Sequence, residues 1–316
     1  MLAFGPVPSR RFGRSLGVNN IPPKRCSYSC VYCQLGPTRP MRIRPRTFLP
    51  VREVVGAVRD RVDACRARGE PVDYVTVVPD GEPTLDLLLG PEIRALKQLG
   101  IPVAVITNGS LLWRPEVRAG LADADVVSVK VDTTDPRIWR RINRPGRQLR
   151  LPAILEGLQY FVRDFPGELW TETMLVEGIN DDTDELERTA VFLGGLAAHR
   201  AYLAVPTRPP AVPGVRPPST QALVEAHEIF SERLPEVQLL VSPEEGAFAH
   251  GDDPVRDLLA ILQVHPMPER VARNYLREAG GGPAMLDELL AAERIVGVDF
   301  RGEEFVVARL EGVPRH

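Results

Sequence analysis

Residues 102–131 read Pro102-Val-Ala-Val-Ile-Thr-Asn-Gly-Ser-Leu-Leu-Trp-Arg-Pro-Glu-Val-Arg-Ala-Gly-Leu-Ala-Asp-Ala-Asp-Val-Val-Ser-Val-Lys-Val131. Two β-branched runs, 102–107 and 125–131, flank a short stretch near 114–121 with helical character. A strand, a crossover helix and a second strand form one unit of a parallel sheet. The same alternation extends in both directions. Helix 50–68 places Val51, Val54, Val55, Val58, Val62 and Cys65 on one face at helical spacing. A buried strand at 72–78, helix 91–99, helix 150–163, strand 168–176, helix 183–195 and strand 200–205 continue it. Helix 219–232 follows a Pro-rich loop, and an opening strand is expected near Leu16–Asn19. Six βα units are too few for an eight-fold barrel. The expected fold is α/β, a partial (β/α)6 TIM-like barrel over residues 1–240.

A second unit is expected over residues 245–316. Helical patterns at 253–263, 268–279 and 283–293 precede strands 294–300 and 303–309, with Arg301-Gly302 between them as a hairpin tip. Three helices and a hairpin resemble a winged helix. The helix before the wing, PAMLDELLAAER, is acidic except at its end, so a docking or structural role is expected rather than DNA binding.

Of the 316 residues 44% are hydrophobic and 26% charged, an ordinary globular composition. No apolar run approaches the roughly 18 residues of a membrane span. The first 25 residues carry no secretory signal pattern, and a cytoplasmic protein is expected. Net charge is −3, yet residues 1–50 hold nine Arg or Lys and no Asp or Glu. Such a basic segment is either a solvated face or a rim that attracts an anionic substrate. Only Lys24, Lys97 and Lys130 are lysines, each a compact charge that arginine replaces poorly.

Four cysteines are too few and too clustered for a disulfide framework. Three stand at Cys26, Cys30 and Cys33, in the spacing Cys-x3-Cys-x2-Cys. Three thiolates on one irregular loop can hold three corners of a cuboidal iron–sulfur cluster and leave the fourth iron open. Structural zinc would need a fourth protein ligand. Cys65 sits on the apolar face of a helix, and the first histidine is the distant His199. The cysteine loop, Gly81-Glu82-Pro83, Thr107-Asn108-Gly109, Lys130-Val131-Asp132, Glu177–Asn180 and Pro206-Thr207-Arg208 all adjoin or follow expected strands, at the end where parallel barrels bind ligands.

The triplet, with Tyr32 before its last cysteine, resembles the signature of the radical S-adenosylmethionine (SAM) superfamily. That resemblance implies an enzyme with a [4Fe-4S] cluster on Cys26, Cys30 and Cys33, and SAM on the open iron. Tyr32 would lie near the adenine, and Gly81, Glu82 and Pro83 near the methionyl amino group. Asp80 stands where the family favours glycine. Asn108, Ser128 and Lys130 would contact the SAM ribose and carboxylate. Lys130 is also the candidate catalytic residue, through SAM, through substrate, or as a Schiff-base amine. The implied chemistry is reductive cleavage of SAM, with an electron from a flavodoxin- or ferredoxin-type donor. The resulting 5′-deoxyadenosyl radical abstracts hydrogen from an anionic small-molecule or nucleotide-like substrate. Modification of tRNA or a peptide is the alternative, and a non-catalytic metal-binding winged-helix regulator a third. The opening Gly5–Asn19, together with Ser128–Asp132 and Ile142–Pro145, is similar to a group allied to the wyosine-building tRNA enzymes. Those carry a second cluster, for which this chain lacks the cysteines.

Overall fold

The computed structural model describes residues 1–242, 248, 253–282 and 284–309. Its main sheet has eight strands in the order of the chain: β1 (Ala3–Ser9), β2 (Gly13–Val18), β3 (Tyr74–Val77), β4 (Val103–Thr107), β5 (Val126–Lys130), β6 (Glu168–Met174), β7 (Arg200–Ala204) and β8 (Val237–Leu240). β1 and β2 are antiparallel, and every pair from β2 to β8 is parallel. Because each strand pairs with its predecessor, the sheet winds in one direction and curls into an open barrel.

Helices α1 (Val51–Ala67), α2 (Leu89–Lys97), α3 (Pro115–Leu121), α4 (Pro136–Ile142), α5 (Leu151–Asp164), α6 (Thr183–Gly194) and α7 (Thr220–Ser231) join the strands. Side chains alternate across each strand. Val75, Val77, Val103, Val105, Val127 and Val129 enter a core shared with the helices, beside Val58, Ile93, Leu158 and Phe161. Ala104, Val126, Trp170, Tyr202 and Ala204 point the other way and close the concave side around Phe12. Phe12 stacks on Trp170 with centroids 4.9 Å apart.

The six βα units stand as expected from the sequence, with helix ends within about two residues of the periodicity. Two strands of the main sheet lie outside the sequence expectation. β1 contains Gly5, Pro6 and Pro8, which read as breakers, yet an edge strand tolerates them and its register shifts between Phe4 and Val7. β8 has only four residues, too short for a periodic signal.

The C-terminal residues form α8 (Pro254–Val264), β9 (Met267–Pro268), α9 (Glu269–Glu278), α10 (Ala284–Ala291), β10 (Ile295–Phe300) and β11 (Glu303–Ala308) around a separate core that includes Leu258, Leu276 and Val306. The hairpin tip falls at Arg301 and Gly302, both at positive φ. β9 pairs with β11 and was not foreseen, since two residues carry no pattern. Most of the expected boundary near residue 245 lies outside the described residues. Arg61 of α1 ties the units together, donating to Gly5 O at 2.5 Å and to Asp257 at 3.2 Å. Among the described residues no helix is long and apolar enough to cross a membrane.

Gly157 in α5 sits so close to the 112–113 backbone that a Cβ would lie 2.4 Å from Trp113 N. Gly56 in α1 has nothing within 4 Å of that position. Gly157→Ala is expected to cost about 1–3 kcal/mol through overpacking, and Gly56→Ala to add about 0.5–1 kcal/mol through helix propensity. Denaturant midpoints of the two variants check the opposite signs.

Candidate functional site

The loop that carries the three cysteines is held by its neighbours on both sides. Towards β3, Lys24 N donates to Asp80 O at 2.6 Å and Glu82 N to Arg25 O at 2.8 Å. A Cβ on Gly81 would lie 2.0 Å from Arg25 O, so only glycine permits this approach. Towards α4, Val31 N donates to Ile142 O at 2.9 Å, Ser29 N to Asn143 O at 3.0 Å and Gly146 N to Ser27 O at 3.0 Å. Arg42 N closes the loop with a 2.8 Å bond to Cys26 O.

Each sulfur faces one side-chain nitrogen donor. Asn108 Nδ2 lies 3.5 Å from Cys26 Sγ, Asn143 Nδ2 3.4 Å from Cys30 Sγ, and Lys24 Nζ 3.8 Å from Cys33 Sγ. Burial, with Glu82 nearby, pushes the Cys26 thiol up to about 12. Burial and the Asp132 carboxylate push Cys30 upward as well. Such thiols ionise when a cation arrives to take the charge, and N–H donors favour the thiolate that results. Three thiols on one loop, each met by an N–H donor, are a donor set that fits three corners of an iron–sulfur cluster, one iron to each sulfur.

Glu82 is buried and heavily used. Its Oε1 accepts from Thr84 N, Thr84 Oγ1 and Thr107 Oγ1, and its Oε2 from Asn108 N at 2.8 Å. It locks the loop after β3 to the loop after β4, and its spare acceptor capacity lies on Oε2. Asn108 is fixed in turn, with Oδ1 accepting from Ser110 N at 2.9 Å. Ser128 Oγ is buried on the concave face and has no hydrogen-bond partner among the described residues.

Lys130 forms an ion pair with Glu172, and Arg11 from the β1–β2 turn pairs with the other oxygen of the same carboxylate. Burial alone would lower the Lys130 ammonium, but Glu172 and Asp132 reverse the sign and raise it. Burial likewise opposes ionisation of Glu172, yet Arg11 and Lys130 hold it down at about 2. Lys130 is thus a fixed cation here, and the free amine that a Schiff base requires is disfavoured. Above them, Tyr32 donates to Asp132, which also accepts from Asn143 Nδ2 at 2.6 Å and Met174 N at 2.9 Å.

All six polar segments picked out in the sequence converge. Asn180 Nδ2 reaches Asp132 O at 2.8 Å, and Arg208 Nη1 reaches Gln34 Oε1, beside Cys33, at 3.0 Å. Lys24, Asn143, Asp132, Glu172 and Arg11 join the site only through the fold. Asp132 and Asn143 lie within the segments Lys130–Asp132 and Ile142–Pro145, and Lys24 is one of only three lysines. Arg11 and Glu172 gave no signal, since their meeting depends on an unforeseen hairpin.

Residues 20–191 match the radical SAM superfamily. A UPF0026 protein of Methanocaldococcus jannaschii is 39% identical over 312 residues, 98% of this chain and 97% of the relative. A UPF0026 protein of Helicobacter pylori is 34% identical over 66% of this chain and 67% of its own length. A radical SAM methyltransferase from Sphaerobacter thermophilus shares the fold with TM-score 0.54 at 18% identity, over 72% of this chain and 66% of that one. TYW1 with a lysine-pyruvate adduct bound does so with TM-score 0.54 at 16% identity, over 70% and 74%.

Iron content and the visible absorbance of anaerobically reconstituted protein should fall to background in Cys26→Ala, Cys30→Ala and Cys33→Ala. Gly81→Val, which touches no sulfur, should also lose most of its iron while keeping its far-UV circular dichroism. Full iron loading in Gly81→Val would contradict the clamp.

Proposed function

The chain belongs to the radical SAM superfamily, and we propose that it cleaves SAM reductively on a [4Fe-4S] cluster held by Cys26, Cys30 and Cys33. The observation that carries this reading is the trio of half-buried thiols, each with its own N–H donor, on a loop clamped between the loop after β3 and residues 142–146. When bound there, cluster and SAM together supply a 5′-deoxyadenosyl radical that abstracts hydrogen from substrate.

The chain's own residues do the rest. Gly81, Glu82 and Pro83 shape the loop beside the cysteines, and Glu82 Oε2 retains capacity to accept from an amino group. Tyr32, held by Asp132, offers a fixed ring below which Lys130 Nζ sits 5.5 Å from the centroid. Asn108 and the unpartnered Ser128 hydroxyl supply polar contacts for a ribose or carboxylate. Lys130, kept protonated by Glu172, serves as a cation for the SAM carboxylate or for an anionic substrate. Packing around the concave face excludes water from the reacting radical. The electron donor is of the flavodoxin or ferredoxin type. The C-terminal unit, read as a winged-helix-like domain, reaches the site through Arg208, whose Nη2 lies 2.9 Å from the His265 ring.

Protein reconstituted with iron and sulfide under nitrogen, then supplied with SAM and dithionite, should release 5′-deoxyadenosine. Lys130→Met should lower that rate at least tenfold, or raise the KM for SAM by a similar factor, about 1.4 kcal/mol. Unchanged rate and KM would remove Lys130 from the site. A colourless protein loaded with zinc would contradict the whole reading.

A further inference from the structure

Outside the concave face, one charged surface is unaccounted for. A groove of about 650 Å³ runs along residues 38–48 and 146–148. Five exposed arginines line it: Arg39, Arg42, Arg44, Arg46 and Arg147. Not one acidic side chain lines it, and among the described residues none of the five is in an ion pair. Elsewhere on this chain exposed arginines commonly face carboxylates, as Arg94 faces Asp123 at 2.9 Å. A concentration of five unpaired guanidinium groups carries a self-repulsion that a polyanion relieves.

We infer that this groove binds a single-stranded polynucleotide. Exposure alternates along 41–46, with Arg42, Arg44 and Arg46 outward and Met41, Ile43 and Pro45 turned in. The loop thus sets three guanidinium groups at alternate positions on its exposed side. Guanidinium forks match phosphate oxygens two at a time. The floor also suits bases: Arg46 lies over the Phe48 ring at 4.7 Å, giving a flat cation–π platform. An acidic peptide would use the charge but has no need of the platform.

Position links the groove to the site. Arg42 N is bonded to Cys26 O, and Gly146 N to Ser27 O, so the cysteine loop backs one wall. A strand seated there runs beside the cluster loop, and one unstacked nucleotide can turn from it towards the concave face. That this docking serves catalysis rests on the radical SAM reading, whereas the binding itself does not require it.

Fluorescence anisotropy with labelled single-stranded RNA and DNA of about twelve nucleotides, on the full chain without SAM, separates the two. Arg39→Gln/Arg44→Gln/Arg46→Gln should weaken binding at least tenfold at about 100 mM salt. The slope of log K against log salt should fall by about 2, for three lost phosphate contacts. Arg94→Gln/Arg163→Gln/Arg233→Gln, an equal charge change elsewhere, should alter affinity less than twofold. The groove variant should keep its iron and its 5′-deoxyadenosine release. The RNA and DNA arms identify which sugar is preferred. Absent binding by the wild-type chain, equal losses in both triple variants, or competition by polyglutamate as strong as by polynucleotide would each overturn the inference.

Discussion

The close approach of two backbones at Gly81 and Arg25 is the contact on which the rest of the site depends. A loop rich in Asn, Pro and Ser has no internal ladder to hold three sulfurs in place, so its shape comes from its neighbours. The loop after β3 grips it on one side, and residues 142–146 pair with it on the other. A single methyl group at residue 81 would part the first grip, because it would collide with a carbonyl oxygen that cannot swing aside. Glu82 then transmits the same constraint to the loop after β4, where Asn108 addresses Cys26. The cysteine loop, Glu82 and Asn108 are thus tied to one another.

A second constraint is electrostatic. Glu172 is buried and ionised because two cations share it, and each cation is fixed because the carboxylate cannot be neutralised near physiological pH. Lys130 is thereby held as a charge rather than as a nucleophile. Asp132 accepts from Tyr32, Asn143 and Met174 N, and its charge, like that of Glu172, faces Lys130. The two carboxylates organise the rim around that cation.

Much of this was legible in the residues. The parallel sheet followed from β-branched runs alternating with helical spacing, and the cysteine triplet with the loops after successive strands marks out the candidate site. What stayed hidden has physical causes. β1 was masked by two prolines, which only an edge strand accommodates, and with it went the hairpin that delivers Arg11 and Phe12 to the concave side. Glu172 lies within a strand whose pattern reads as plainly β, and nothing local shows that its partner is 161 residues away. The thiol donors Lys24 and Asn143 depend on tertiary contacts between loops, which sequence spacing does not encode. The arginine groove was visible only as a basic first fifty residues; the fold converts that bias into a surface by alternating side chains along 41–46.

Three sulfurs around a cluster of four irons would leave one iron for SAM. Mössbauer spectroscopy of the chain loaded with iron-57, recorded with and without SAM, addresses that iron directly. A shift confined to about one iron in four on adding SAM is the predicted result. Spectra that do not change with SAM, or iron bound only as isolated mononuclear sites, would contradict it.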